Sequence, residues 1–546
     1  MDSFKRKIAK KYEIPCPSNI ELLKAYHKLV KNKIVKKSPI LEELLRTRPI
    51  RSLSGIVNIS VLTKPYPCPG KCLYCPTEKG IPKSYVSGEP AVERAKALNY
   101  DPYLQVRKRI EMLENQGHPT DKIELRIIGG TWSYYPKQYQ SWFIKRCFDA
   151  CNERDRISDW SSDLRKSQKL NEKTKHRIVG LSIETRPDFI NLSEVQRLRE
   201  LGVTMVELGV QSIYDDILKL NLRGHGVKET IMATKLLKDA GFKVLYQMMP
   251  NLPGSNLKKD EKMFGELFSN PNFQPDLLKI YPCALLKEAP LYKWWKAGKY
   301  KPYTEKQLIN LVKKIKKKIP YYVRIQRITR DIPSQKVIIG PAKISNLRQI
   351  IAREMEREGW QGEEDKSSSS PVAGAWECKC IRCREVRENY NPKEKLYLYR
   401  QDYDASGGKE IFLSFESKNR AKLYSLLRLR ITSQNTAIIR ELHTYGHLYP
   451  LRGRVALISP QHKGLGKKLA REAEKIAKKD YNPPTTSSHS LRSRAPFGFH
   501  PVKFAESGAK QFNRVNKIAV ISGIGVRDYF RKLGYKLKDT YMVKNL

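Results

Sequence analysis

Six short apolar stretches recur through residues 51–340, each separated from the next by room for a helix, and this alternation restricts the fold more than any other feature. They are "GIVNISVL" (55–62), "IELRIIGG" (123–130), "RIVGLSIET" (177–185), "TMVELGVQS" (204–212), "FKVLYQMMP" (242–250) and "LLKIYPC" (277–283). Near-continuous apolarity marks strands buried on both faces, as in parallel sheets. The stretches between them read as helices, and "SEVQRLRELG" and "KETIMATKLLKDAG" each end in the glycine expected just past a helix C-terminus. Such repetition predicts an α/β fold whose parallel strands curl into a full or partial barrel. Chemistry in barrels of this kind gathers on loops after the C-terminal ends of the strands.

The first strand runs into "TKPYPCPGKCLYCP", which places Cys68, Cys72 and Cys75 within eight residues of a chain that has ten cysteines. A structural zinc takes four protein ligands, and no fourth cysteine or histidine is near. A 4Fe-4S cluster can be held by three thiolates, with one iron left open to bind and reduce something else. Taken alone, the spacing keeps structural zinc as the alternative. A second group, "ECKCIRCREV", supplies Cys378, Cys380 and Cys383, whose gaps suit zinc if a fourth ligand arrives; Cys283, at the end of the sixth strand, is the expected fourth. Free reduced thiols are the alternative there, and Cys16, Cys147 and Cys151 read as ordinary thiols.

Charge bounds the partners. The chain has 104 Lys plus Arg against 56 Asp plus Glu, a formal +48, which attracts polyanions and makes nucleic acid the leading partner over a merely solvated basic surface. The first 50 residues hold 13 basic and 5 acidic side chains at helical spacing and are expected to form a basic helical region. Residues 51–350 form the expected barrel domain, 351–390 a linker with the second cysteine group, and 391–546 a further domain. Sparse cysteines, the lack of an apolar leader and the lack of any run of roughly 18 apolar residues predict a cytoplasmic protein without a membrane span.

In the closing region, "EIFLSFES" and "LYSLLRLRI" read as antiparallel strands. "QHKGLGKKL" then sets Gln461, Gly464 and Gly466 directly before an amphipathic helix. Glycines that turn amides outward, together with the positive end of a helix, make a pyrophosphate cradle. With "IIRELHTYG" before it and "KIAVISG" and "RDYFRKLGY" after it, the loop resembles the acyl-CoA loop of the GNAT acetyltransferase superfamily. Tyr529 is then a candidate acid for the CoA thiolate and Phe530 a candidate packing partner for the pantetheine, with core packing as the alternative for both rings. Residues 361–376 are Ser-rich and read as a linker; residues 481–516, with four prolines, read as an insertion that loops outward.

The first cysteine loop, following the first strand, resembles that of the radical S-adenosylmethionine (SAM) superfamily. "IIGGT" (Gly129, Gly130, Thr131) is similar to the segment that receives the SAM amino group in that superfamily; Thr131 replaces its acidic residue, which leaves a backbone contact. Glu184 and Gln211 would hold the SAM ribose or methionine part. Fold and motifs together predict a partial (βα)6 TIM-like radical-SAM barrel followed by a GNAT-type α/β domain. "PIRSLSGIVNISVLTKPYPCPGKCLYCP", "GLSIETRPDF", "ELGVQSIYDDIL", "NLRGHGV", "QRITRDIP" and "ISGIGVRDYFRKLGYKLKDTYMVK" resemble the family of Elongator catalytic subunits in its archaeal form, from about residue 20 to the C-terminus except in residues 361–376 and 481–516.

This resemblance implies an acyltransferase acting on tRNA. A deoxyadenosyl radical made from SAM would activate the methyl group of acetyl-CoA for addition to C5 of the wobble uridine, and oxidation and thioester hydrolysis would leave a carboxymethyl group. Acetyl-CoA would span both domains and meet Lys122, Glu441, Leu442, His443 and Thr444, and Leu465, Gly466 and Lys467 of the loop. Phe530 departs from the family's second tyrosine, so Tyr529 must carry any hydroxyl role. The implied partners are tRNA, acetyl-CoA and an electron-donor protein, and a homodimer is the assembly considered. A protein lysine acetyltransferase is the competing reading, disfavoured because a +48 enzyme repels a basic substrate.

Overall fold

The computed structural model describes residues 2–36, 38–154, 163–344, 346–358, 378–432, 436–448, 459–479 and 515–546. The apolar stretches form one parallel sheet: β1 (Val57–Leu62), β2 (Lys122–Ile128), β3 (Arg177–Thr185), β4 (Met205–Gln211), β5 (Lys243–Met248), β6 (Leu277–Ile280) and β7 (Arg324–Ile328), hydrogen-bonded in sequence order. Every connection between parallel neighbours is a crossover, which is where the helices lie. β4 is buried along its whole length, as a strand covered on both faces must be. β1 and β7 do not pair, yet the sheet is curled: Lys279 on β6 reaches Glu184 on β3 at 3.0 Å. On a flat sheet three strand spacings would hold them about 14 Å apart.

The partial barrel read from the sequence is present, with one strand more than the six read as apolar runs. β7 carries Arg324, Gln326 and Arg327 among its five residues, a polarity that masks it. It is tolerated inside because Arg324 pairs at 2.8 Å with the buried carboxylate of Glu385, from the segment of the second cysteine group.

The second sheet comprises β8 (Tyr397–Ala405), β9 (Gly408–Glu416), β10 (Leu423–Ile431), β11 (Ala437–Thr444), β12 (Lys517–Val520), β13 (Lys536–Lys538) and β14 (Tyr541–Asn545), in the order β13-β14-β12-β11-β10-β9-β8. All its pairs are antiparallel except β11 with β12. Those two pair only from Ala437 with Ile518 to Ile439 with Val520; beyond this β11 has no strand partner on that side among the described residues, and a wedge opens in the sheet. Helix Leu465–Lys479 covers the sheet with Leu465, Leu469, Ala473 and Ile476. Three helices, Asp2–Lys11, Asn19–Lys31 and Pro39–Leu45, precede the barrel. The Ser-rich linker and most of the 481–516 insertion lie outside the described residues; the chain resumes at Val515, and β12 stands in parallel register beside β11.

The second sheet docks on the end of the barrel where strands begin. Asp276, just before β6, is fully buried and meets Arg440 of β11 at 2.5 Å, Lys238 at 3.4 Å and Arg428 at 3.6 Å, and it accepts the Val244 amide at 2.9 Å. Arg440 also meets Glu410 at 3.0 Å, and Arg430 joins Glu410 at 3.0 Å to Asp239 at 2.6 Å. At Gly523 the chain passes so close to the Val179 carbonyl that any side chain would overlap it. Removing one partner of a buried pair leaves an uncompensated charge, so Arg440→Met is expected to destabilise the protein by roughly 3–5 kcal/mol. The shift in the midpoint of denaturant unfolding measures it, and a variant as stable as the parent would contradict a structural role for the network.

Candidate active site

Strand direction collects one set of predicted residues at a single mouth of the barrel. β1 ends at Leu62 before the cysteine loop, β2 at Ile128 before Gly129, β3 at Thr185 after Glu184, and β4 at Gln211. The loop is pinned on both flanks: the Leu73 amide donates to the Asn221 carbonyl at 3.2 Å and the Leu291 amide to the Leu73 carbonyl at 2.8 Å. The Tyr74 ring packs against the apolar cluster of Ile217, Leu252 and Leu285. Gly129 has φ +131°, and its carbonyl accepts from Thr63 Oγ1 at 3.1 Å; a Cβ there would overlap the Thr63 side chain, so only glycine lets the strand end reach the loop. Thr131 Oγ1 lies 3.6 Å from Cys68 Sγ.

Among the described residues, the one group of metal-ligating side chains whose donor atoms all fall within 4.8 Å of one another is Cys378, Cys380 and Cys383. Sulfurs around a single tetrahedral zinc, with bonds of about 2.3 Å, sit about 3.8 Å apart. The wider spread of Cys68, Cys72 and Cys75 suits a multinuclear cluster better than one zinc. Burial first, and then the neighbouring Cys72, push the Cys75 thiol up to about 12. Gln211, at φ +70°, carries a buried Oε1 with no partner among the described residues, a polar atom still to be met at this mouth. Thiols, bare strand-end backbone and this orphaned acceptor fit a cluster with SAM.

Inside the barrel the column is polar. Arg126 meets Glu207 at 2.7 Å; Lys279 contacts Glu207 and lies 3.0 Å from Glu184, which also accepts from Tyr85 at 3.0 Å and Gln247 at 3.2 Å. Burial alone would raise the Glu207 carboxyl, but Lys279 and Arg126 hold it below the usual range. Glu184 was expected from the sequence; Arg126, Glu207, Gln247 and Lys279 were not. A charge inside an apolar run, as in "VELGV" and "LLKIY", is the signal that could have found Glu207 and Lys279.

The second set of residues meets at the other end. Lys122, the first residue of β2, donates to Gln461 Oε1 at 2.8 Å and lies 3.3 Å from His462 Nε2. Gln461 Nε2 donates to the carbonyls of Gly55 at 3.0 Å and Thr444 at 3.1 Å, joining barrel, loop and β11. The wedge between β11 and β12 opens beside the start of helix Leu465–Lys479, whose first amides have no intrahelical acceptor. A Cβ on Gly466 would lie 3.1 Å from the Tyr529 hydroxyl and 3.7 Å from Leu442, which brings those three predicted residues together. The Tyr529 ring is 39% exposed with its hydroxyl turned inward, and partial burial pushes that hydroxyl up to about 12. Gly464 and Lys467 are exposed at the loop.

Other predicted residues are placed differently. Phe530 is 4% exposed in the second core with Leu469 and Ile476, which is the core packing weighed for it, and its ring stands edge-on to Tyr529 at 5.3 Å. Glu441 and His443 turn toward the barrel: Glu441 pairs with Arg428 at 2.7 Å and Lys243 at 3.2 Å, and His443 Nε2 meets the Ser54 carbonyl at 2.8 Å. Cys283 is not the fourth member of the second cysteine group. It is buried in the apolar cluster with Leu252 and Tyr300, because β6 ends at the barrel mouth while the group lies beside β7's beginning. Lys316 Nζ lies 3.3 Å from Cys383 Sγ instead.

A model of the radical SAM superfamily matches residues 66–267, and one of the radical SAM C-terminal domain matches residues 275–357. The chain is 44% identical, over 97% of its length, to the tRNA uridine(34) acetyltransferase of Methanocaldococcus infernus, 92% of which is covered. It belongs to the tRNA uridine(34) acetyltransferase family. Human Elongator complex protein 3 is 36% identical over 93% of this chain and 87% of the human protein. A solved structure of archaeal Elp3 from Methanocaldococcus infernus, with an N-terminal deletion, superposes with a TM-score of 0.72 at 41% identity, covering 91% of this chain and all of that one. For this member of the acetyltransferase family, burial lowers the Lys122 ammonium to about 8. It is charged below that value and neutral above it. If Lys122 helps hold CoA phosphate, affinity for CoA measured by calorimetry at constant ionic strength is expected to fall as pH rises through about 8, and Lys122→Arg is expected to flatten that dependence.

Proposed function

We propose that this chain modifies the wobble uridine of tRNA at C5, with acetyl-CoA as the carbon source, and leaves a carboxymethyl group. The observation that supports the reading is the contact of Lys122 with Gln461 and His462, by which the glycine loop after β11 meets the base of the barrel whose mouth holds the cysteine loop. When bound, a 4Fe-4S cluster with SAM supplies a 5′-deoxyadenosyl radical able to take a hydrogen atom from the acetyl methyl group.

The chain's own residues supply binding, orientation and protons. Cys68, Cys72 and Cys75 mount the cluster. The Gly129–Thr131 backbone receives the SAM amino group, and Glu184 and Gln211 its ribose or methionine part. The amides of Leu465, Gly466 and Lys467, with Lys122, take the CoA phosphates, and Leu442 borders the acyl arm. Tyr529 keeps its proton at neutral pH and is positioned to return it to the CoA thiolate. The basic N-terminal helices grip tRNA phosphates without reading sequence, and the uridine is unstacked from a single-stranded loop. The enzyme acts in the cytoplasm and takes its electron from a separate donor.

Anaerobic reconstitution with iron and sulfide, followed by SAM, acetyl-CoA and tRNA, is expected to yield carboxymethyluridine on mass analysis of the nucleosides. Cys72→Ala is expected to yield none. Product that survives that substitution, or its absence from a fully loaded enzyme given a reductant, would sink the proposal. Cys378, Cys380 and Cys383 are proposed as three ligands of a zinc, with no fourth His, Cys, Asp or Glu grouped with them among the described residues. Cys380→Ala should lower zinc content and the unfolding temperature together, and unchanged zinc would refute the assignment.

A further inference from the structure

Two buried guanidiniums lie behind the first cysteine loop, and the reading above uses neither. Arg223 is 7% exposed; its Nη1 donates to Cys72 Sγ at 3.5 Å, its Nη2 donates to the Gly209 carbonyl, and its Nε is buried with no partner. Among the described residues no carboxylate forms an ion pair with it. Arg186 is 5% exposed and differs in one respect: Nε and Nη2 donate to Asp188 at 2.9 and 2.8 Å. Its Nη1 is buried without a partner and fills the space that a side chain at Gly70 would need. Gly70, between Cys68 and Cys72, therefore packs on a guanidinium that Asp188 pairs directly, whereas Cys72 itself meets one that no carboxylate among the described residues pairs directly and that Asp188 reaches only at longer range.

Reduction potentials of iron-sulfur clusters depend on net charge, hydrogen bonds to the sulfurs and exposure to solvent. A nearby cation stabilises the more negative oxidation state, and does so more strongly where water is excluded. We propose that Arg223 raises the reduction potential of the cluster held by Cys68, Cys72 and Cys75, and that Asp188 restrains the same effect from Arg186. The inference rests on reading that loop as a cluster mount. The step it favours is uptake of one electron from an external one-electron donor. No covalent bond forms or breaks and no proton moves; the cluster with its thiolates gains one negative charge, which the bare guanidinium and its Nη1–Sγ hydrogen bond stabilise. Arg223 is in this sense a positioning and tuning residue and not a catalytic one.

The test is a dithionite titration of the anaerobically reconstituted full chain, followed by electron paramagnetic resonance, with iron and sulfide counted for each variant. In Arg223→Met the ratio of reduced to oxidised cluster at a fixed potential is expected to fall about tenfold, a midpoint lower by about 59 mV for a one-electron couple. Arg223→Lys, which keeps the charge, is expected to restore most of the shift. Asp188→Asn, which removes the carboxylate paired with Arg186 and changes no cysteine, is expected to move the midpoint upward. A fully loaded Arg223→Met at the parental midpoint overturns the proposal, as does an Arg223→Lys that falls as far as Arg223→Met. If Arg223→Met does not load its cluster, Asp188→Asn decides, and an unmoved midpoint there overturns it. A parent chain that takes up no iron would instead overturn the cluster reading itself.

Discussion

Asp276 holds the molecule together. Its carboxylate, fully buried just ahead of β6, is surrounded by Arg440, Lys238 and Arg428 and by the Val244 amide. Such a cluster is stable only when each charge and each hydrogen bond is met at once, because the low dielectric that strengthens a completed network also penalises any member left alone. Asp276 therefore does more than join two sheets: it admits one relative placement of them. That placement is what allows Lys122 of β2 to reach Gln461, and what sets Gly523 directly over the Val179 carbonyl.

With the sheets so placed, the two candidate sites stand at opposite ends of the curled sheet, separated by the length of its strands, about 20 Å for a seven-residue strand. The space between is occupied by paired charges, from Glu441, Lys243 and Glu124 at the base to Arg126, Glu207, Lys279 and Glu184 toward the mouth. Glu441 belongs to the acyltransferase sheet by sequence and to the barrel by its contacts; burial opposes its charge, yet Lys243 and Arg428 hold its carboxyl at about 2. Both candidate sites are thus joined to one polar column of paired charges.

Legibility in the sequence follows the range of the interactions. The six apolar strands, the cysteine loop and the glycine loop before its helix are local patterns, in which each residue's neighbours along the chain carry the signal. β7 is masked because the charge of its Arg324 is accepted inside the fold only through Glu385, which lies about sixty positions further along. Cys283 was matched to the wrong group because spacing along the chain says nothing of which end of a barrel a strand terminus reaches. Phe530 reads equally well as cleft or core in one dimension, and only the fold shows it packed with Leu469 and Ile476.

The sequence by itself determined the layered α/β architecture, the candidate cysteine and glycine loops and the strongly basic charge, because periodicity, cysteine spacing, glycine placement and charge are properties of the chain alone. Only the tertiary structure decided that Lys122 meets Gln461, that Arg223 stands beside Cys72 with no ion pair among the described residues while Arg186 pairs with Asp188, and that the barrel interior is a charged column. The reason is physical: a buried charge is acceptable only beside its partner, and in this fold the partners come from strands and loops that are adjacent in space after being tens to hundreds of residues apart in the chain.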